Sequence, residues 1–132
     1  MERSRRIAPL VGIVACLLVL GVLAVPYALA DAATVRLYYD SGVLHPLVAG
    51  LLATVSIIVF AAGRQERTDP ELAAGVTLTF GLFTVFLALA WALTVRVDVA
   101  GPELAEHRWA LVAVALGVPG AAAWYARSLG LL

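Results

Sequence analysis

The sequence predicts an all-α membrane protein, a bundle of four transmembrane helices that run alternately up and down. Its 132 residues are 63% hydrophobic and only 14% charged, whereas a soluble domain carries about 25% charged residues. Four windows contain no Asp, Glu, Lys or Arg: 7–30, 43–62, 72–95 and 109–126. Each is close to the roughly 17–25 residues that cross a bilayer core as a helix. Because a segment in lipid must satisfy its own backbone hydrogen bonds, each window is predicted to be helical.

We expect one domain, 1–132, with helices at about 7–30, 43–62, 70–95 and 102–127. Asp69 is an N-cap candidate before Pro70, and proline is well tolerated at the first position of a helix. Gly101 followed by Pro102 is a similar start signal for a helix. The fourth helix is therefore predicted to start near Pro102, outside the membrane. The connection 63–69 is short and polar, which makes the second and third helices antiparallel neighbours.

The arginines predict the orientation. One side of the membrane would hold six of them, Arg3, Arg5, Arg6, Arg64, Arg67 and Arg127, and the other side Arg36, Arg96 and Arg108. By the positive-inside rule the first side is cytoplasmic. We therefore expect a multi-pass protein of the plasma membrane with both termini in the cytoplasm.

Aromatic residues cluster near the predicted helix ends. Tyr27, Trp91 and Trp109 fall at the outer ends, and Trp124 and Tyr125 at an inner end. Amphipathic rings prefer the headgroup level of a bilayer, so all five are predicted to be interfacial anchors.

Two polar stretches, TVRLYYDSGVLH at 34–45 and TVRVDVAGPELAEHR at 94–108, are predicted to be the outer loops. Their shared TVR start would also fit a duplicated hairpin, but two unrelated loops are the preferred interpretation. Their charges predict a polar network that holds the loops over the bundle. Its members are Arg36, Asp40, Arg96, Asp98, Glu103, Glu106 and Arg108.

The two histidines are the candidate cofactor ligands. His45 begins the second predicted helix and His107 lies near the start of the fourth, so both are expected at similar depth near the outer surface. Such a pair could ligate haem iron or, with nearby carboxylates, a metal ion. An up-down bundle, however, places these two helices diagonally. No cofactor is predicted, and the haem or metal site is kept as an alternative.

Several function classes are disfavoured. Zero net charge without a basic face argues against nucleic-acid binding, and the single Cys16 excludes an intramolecular disulfide. The apolar windows hold no charged residue, although charges inside a membrane usually mark ion paths or proton relays. No catalytic pattern is present, so the protein is predicted to be non-enzymatic.

The leading prediction is an accessory or scaffolding subunit of a larger membrane assembly. Small residues recur every four positions and would let helices approach closely, within the chain, in a homo-oligomer or against a membrane protein partner. These stripes are Ala8, Gly12 and Cys16; Ala73, Thr77 and Gly81; and Ala113, Gly117 and Ala121. A further alternative is a small transporter or channel lined by Thr77, Thr84 and Thr94, with Thr79 on the opposite face.

The segments YYDSGVLHPLVAGLLA and FAAGRQERTDPELAAGV, with HRWALVAVALGVP and WYAR near the end, resemble an uncharacterised family of small four-span membrane proteins from halophilic archaea. The resemblance covers nearly the whole chain. It implies a four-helix membrane protein in an archaeal plasma membrane. It implies no activity and assigns no functional residue.

Overall fold

The fold of the described residues is entirely helical. The computed structural model describes residues 2–96, 98, 104 and 106–132, and in these it has five α-helices and no strand. The helices are α1 (Glu2–Leu29), α2 (Ala32–Asp40), α3 (Leu47–Arg64), α4 (Pro70–Thr94) and α5 (His107–Ser128). All but α2 are long and apolar enough to cross a membrane. The predicted all-α class and the four long apolar helices are confirmed.

The short helix α2 was predicted as part of an outer loop. It begins after Asp31, whose side chain accepts a hydrogen bond of 2.8 Å from the backbone N–H of Thr34. Val35, Tyr38 and Tyr39 are its buried residues, and this spacing places them on one face of a helix. The segment is therefore an amphipathic helix packed on the bundle. It is too short and too polar to form a long apolar window, so it was not predicted as a helix.

The four long helices form an antiparallel ring in which α1 and α4 each contact both α3 and α5. The start of α1 meets the end of α3, where Arg64 Nε donates to the carbonyl of Arg6 at 2.9 Å. Midway along α4, Gly81 packs against Pro119 of α5. The diagonal pairs are thus α1 with α4 and α3 with α5.

The helix ends are set by local hydrogen bonds. The Asp69 side chain caps α4 by accepting from the N–H of Glu71 at 3.0 Å, and Pro70 is the first residue of that helix. The helix α3 starts at Leu47, four residues after the predicted boundary, and Pro46 is its N-cap. The helix α5 begins at His107. Gly101 and Pro102, the predicted start signal of this helix, lie outside the described residues.

Small residues line the contacts between helices. Gly12 of α1 faces the buried ring of Phe60, and a β-carbon at Gly12 would overlap that ring. At Gly81 the obstacle would be backbone, because a β-carbon would lie 2.7 Å from the nitrogen of Pro119. Close approach of this kind is what small residues permit between membrane helices.

Large apolar side chains point outward. Leu17, Ile58, Phe86 and Leu93 are each more than half exposed, whereas most of the buried residues of α1 and α4 are Ala, Gly, Thr or other small residues. A soluble protein rarely exposes so much apolar surface. The arrangement suggests a multi-pass membrane protein.

Candidate functional site

A buried cluster of aromatic rings lies where α2 covers the ends of α1, α4 and α5. It consists of Tyr38, Tyr39, Trp91 and His107, and we call it the aromatic cluster. Tyr38 stacks on Tyr39 at 5.5 Å between ring centroids and meets Trp91 edge-on at 5.1 Å. Trp91 in turn lies edge-on to His107 at 6.0 Å. All four side chains are buried, and Tyr38, Tyr39 and Trp91 extend the core of the bundle beneath α2.

The hydrogen bonds of His107 determine its tautomer. Nε2 is bonded to the carbonyl oxygen of Val22, which can only accept, so Nε2 carries the proton. In a neutral imidazole Nδ1 is then an acceptor, and it receives the hydroxyl of Tyr38 at 3.0 Å. Tyr39 completes the link between helices by donating its hydroxyl to the carbonyl of Leu23. One histidine and two tyrosines therefore join α1, α2 and α5.

The surroundings of the two tyrosines favour the neutral phenol. Burial raises the pKa of Tyr38 well above the ordinary tyrosine value, and the positive charge of Arg108 offsets this only in part. Burial also raises the pKa of Tyr39, with smaller contributions from Tyr27 and Tyr38. Both hydroxyls can therefore act as hydrogen-bond donors at any physiological pH.

His45 lies at the same end of the bundle but nearer the surface. Its Nε2 is 3.1 Å from the Asp40 carboxylate, and its Nδ1 accepts from the backbone N–H of Leu47 at 3.2 Å. The rings of His45 and His107 lie 5.8 and 6.3 Å from the ring of Tyr39. Both nitrogens of both imidazoles thus have protein partners, and ligation of a metal or haem iron would have to displace one on each ring.

The predicted polar network is divided into separate local contacts. Arg96 pairs with Asp98 at 3.0 Å, and its backbone N–H donates to Ser41 Oγ at 2.9 Å. Arg108 donates to the carbonyl of Ala92 at 3.1 Å and lies over the ring of Trp109. In the described part of the chain, Arg96–Asp98 is the ion pair found, and Asp40 and His45 form a carboxylate–imidazole contact.

The remaining members of the network are less engaged. Arg36 and Glu106 are exposed, and Glu106 precedes α5 without a capping hydrogen bond from its side chain. Glu103 lies outside the described residues. Exposed ion pairs contribute at most about 1 kcal/mol each, so the buried aromatic cluster is the main attachment of α2.

The threonines of α4 bond within their own helix. Thr77 donates to the carbonyl of Ala73 at 2.8 Å and Thr84 to that of Phe80 at 2.7 Å. Thr94 donates to Ala90 at 2.7 Å and also accepts from the N–H of Val43. Such bonds to the preceding turn satisfy hydroxyl donors without a substrate or an ion.

Sequence reasoning missed Tyr38 and Tyr39, and it assigned Trp91 to the membrane interface. Trp91 is fully buried, and Tyr125, also predicted as an anchor, is 1% exposed. The other three predicted anchors, Tyr27, Trp109 and Trp124, are between 39% and 52% exposed. The pattern of Val35, Tyr38 and Tyr39 could have revealed α2 as an amphipathic helix and hence a cover over Trp91.

The side chains that could ligate a metal ion are dispersed among the described residues. In residues 2–96, 98, 104 and 106–132, no three side chains of His, Cys, Asp or Glu come together in an arrangement that could hold a metal ion. Cys16 is buried in α1, and Asp40 is the carboxylate partner of His45.

The chain matches a protein-family model over nearly its whole length. A family model described as a family of unknown function, DUF7548, matches residues 1–130. No curated protein and no solved structure matches the chain.

Proposed function

This chain belongs to the DUF7548 family of unknown function, and we propose that it is a non-enzymatic accessory or scaffolding subunit of a larger membrane assembly. In this proposal the four long helices span the plasma membrane of a halophilic archaeon, and both termini are cytoplasmic. The end of the bundle that carries α2 then faces outward.

The observation that carries the proposal is the way α2 is held. Its inner face is fixed by buried residues, with Tyr38 bonded to α5 and Tyr39 to α1. Its outer face exposes Arg36, Leu37 and Asp40, and Leu37 is 61% exposed. An anchored helix that presents an apolar side chain between two opposite charges is suited to bind a protein partner, because little conformational freedom is lost on binding.

The interior of the bundle supports a structural role. The windows 7–30, 43–62, 72–95 and 109–126 carry no charged residue, and the Thr77 and Thr84 hydroxyls bond to their own helix. A transporter or channel usually places charged or free polar groups along its path. Among the described residues Ser56 Oγ is a buried hydroxyl without a hydrogen-bond partner, but one such group does not line a path, so we prefer a scaffold to a transporter or channel.

Site-specific photo-crosslinking in the native host tests the proposal. A photoreactive residue at Leu37 is expected to give a discrete adduct larger than the chain itself. The matched control is Leu72, which is 59% exposed in the first turns of α4 at the opposite end of the bundle, and it is expected to give no protein adduct. An adduct of twice the chain mass would identify the partner as a second copy. Unreacted monomer at both positions would argue against a scaffolding role.

Haem or metal binding by His45 and His107 is the alternative proposal. It requires one ring nitrogen of each imidazole to give up its protein hydrogen-bond partner and to bind the haem iron or the metal ion instead. An absorption spectrum and metal analysis of the purified protein test it directly. A Soret band or stoichiometric metal that is lost in His107→Ala would favour it over the scaffold.

A further inference from the structure

The end of the bundle opposite α2 carries two hollows lined by arginine. The larger, of about 510 Å³, lies between the start of α1 and the end of α3 and is lined by Glu2, Arg3, Arg6, Ile7 and Arg64. The smaller, of about 220 Å³, shares Glu2, Arg6 and Arg64 with the first and extends toward Arg5, Glu66 and Tyr125. The two adjoin and form a cationic recess at one end of the bundle.

The carboxylates of Glu2 and Glu66 offset the positive charge of the four arginines in the recess only in part. The larger hollow has three arginines against the single carboxylate of Glu2. In the part of the chain that the structure describes, the contacts of a carboxylate with His or Arg within 4.0 Å are Asp40–His45 and Asp98–Arg96, both at the α2 end, so Arg3, Arg6 and Arg64 have no carboxylate at that distance. An anion that enters the recess would meet guanidinium groups not already paired with an acid.

The backbone holds one of these cations in place. Arg64 Nε donates to the carbonyl of Arg6 at 2.9 Å, which keeps the guanidinium of α3 beside the first turns of α1. Arg3 and Arg6 are one turn apart on α1 and line the same hollow. Guanidinium groups bind phosphate oxygens through paired N–H donors, so two or three of them around one hollow suit a phosphate ester.

Apolar side chains lie next to the recess along α1. Ile7 lines it, and at helical spacing along α1 the next outward residues are Leu10 and Val14, which are 41% and 54% exposed. Positive charge followed by exposed apolar surface is complementary to a phospholipid, with its phosphate at one end and its hydrocarbon chains beyond. A soluble phosphate compound would leave the apolar part of this surface uncovered.

We propose that the recess lined by Arg3, Arg6 and Arg64 binds the phosphate headgroup of an anionic membrane phospholipid, whose hydrocarbon chains lie along the outer face of α1. This inference rests on the proposed membrane embedding of the chain. Basic pockets between transmembrane helices on the cytoplasmic side bind anionic headgroups in this way. The bound lipid would bridge α1 and α3.

Native mass spectrometry of the full chain in a non-ionic detergent tests the proposal. Phosphatidylglycerol, phosphatidylcholine and inorganic phosphate are each titrated into three proteins: the unchanged chain, Arg3→Gln/Arg6→Gln, and the control Arg36→Gln/Arg96→Gln. The control removes the same charge from the α2 end. Each arginine near a membrane surface contributes roughly five-fold in affinity, so the first variant is expected to bind phosphatidylglycerol roughly thirty-fold more weakly. The control is expected to bind like the unchanged chain.

Three results would overturn the lipid site: equal affinity for phosphatidylglycerol and phosphatidylcholine, equal weakening in both variants, or displacement of the lipid by an equal concentration of inorganic phosphate. The last would identify a site for free phosphate. These failures are distinct from failure of the membrane proposal, which would appear as a chain that fractionates with the soluble proteins of the cell. Arg3 and Arg6 are exposed, so their replacement leaves the core intact, and circular dichroism checks this for each variant.

Discussion

The hydroxyl of Tyr38 lies 3.0 Å from Nδ1 of His107, and this buried hydrogen bond joins α2 to the first turn of α5. The opposite ring nitrogen is bonded to the carbonyl of Val22 in α1. One imidazole therefore connects three helices at the end of the bundle.

Replacing Tyr38 by Phe should destabilise the protein. The ring would still pack, but Nδ1 of His107 would lose its donor while remaining buried. Leaving a buried acceptor unsatisfied costs about 1–3 kcal/mol. The midpoint of thermal unfolding in detergent measures the effect. Tyr27→Phe is the control because Tyr27 is 52% exposed, and an equal loss in both variants would contradict the role of the hydrogen bond.

Two glycines of α4 should respond oppositely to alanine. A β-carbon at Gly81 would lie 2.7 Å from Pro119 N and 3.0 Å from its Cα. These are backbone atoms, so α4 and α5 would have to separate, at a cost of about 1–3 kcal/mol. Gly75 has nothing within 4 Å of its added carbon, and alanine there should be neutral or stabilise by up to about 1 kcal/mol. The free energies of unfolding of both variants are compared in the same detergent. A destabilised Gly75→Ala with a tolerated Gly81→Ala would contradict the packing described.

Stability should decrease at alkaline pH because of Tyr38 and Tyr39. Burial raises the pKa of both in the folded protein, whereas in the unfolded chain phenols ionise near the ordinary value of about 10. The unfolded state therefore loses these protons first. The stabilisation is complete below about pH 10 and decreases as the pH rises from there toward the raised values of the folded state.

Denaturation over a series of alkaline pH values measures this dependence. The variant Tyr38→Phe/Tyr39→Phe has no phenol to ionise at these positions, so its stability should change less steeply with pH. If the stability of this variant changed with pH as steeply as that of the unchanged chain, the two phenols would not ionise differently in the folded and unfolded states.

The sequence was sufficient to predict the long helices because their signal is local. A window without charge, such as 72–95, has few alternatives to a helix in lipid, and Asp69 with Pro70 marks the start of α4 through contacts within one turn. The antiparallel contact of α3 with α4 also follows from the short connection between them.

The features that the sequence did not reveal depend on contacts between distant segments. Trp91 is at a helix end, where an exposed anchor and a buried ring have the same local pattern, and only the packing of Tyr38 and Tyr39 upon it makes it buried. Similarly, His107 is bonded to Val22, 85 residues away. No spacing rule links these positions, so the aromatic cluster was not predicted.

The most direct test of this account is the labelling of single cysteines from the two sides of a membrane. In a Cys16→Ala background, Val43→Cys lies beside α2 and Leu132→Cys follows α5, and the native residues are 75% and 71% exposed. A membrane-impermeant maleimide added to intact cells should label Val43→Cys, and should label Leu132→Cys only after the membrane is permeabilised. Labelling of both cysteines from the same side, or recovery of the chain with the soluble proteins, would contradict a four-span bundle with α2 outside.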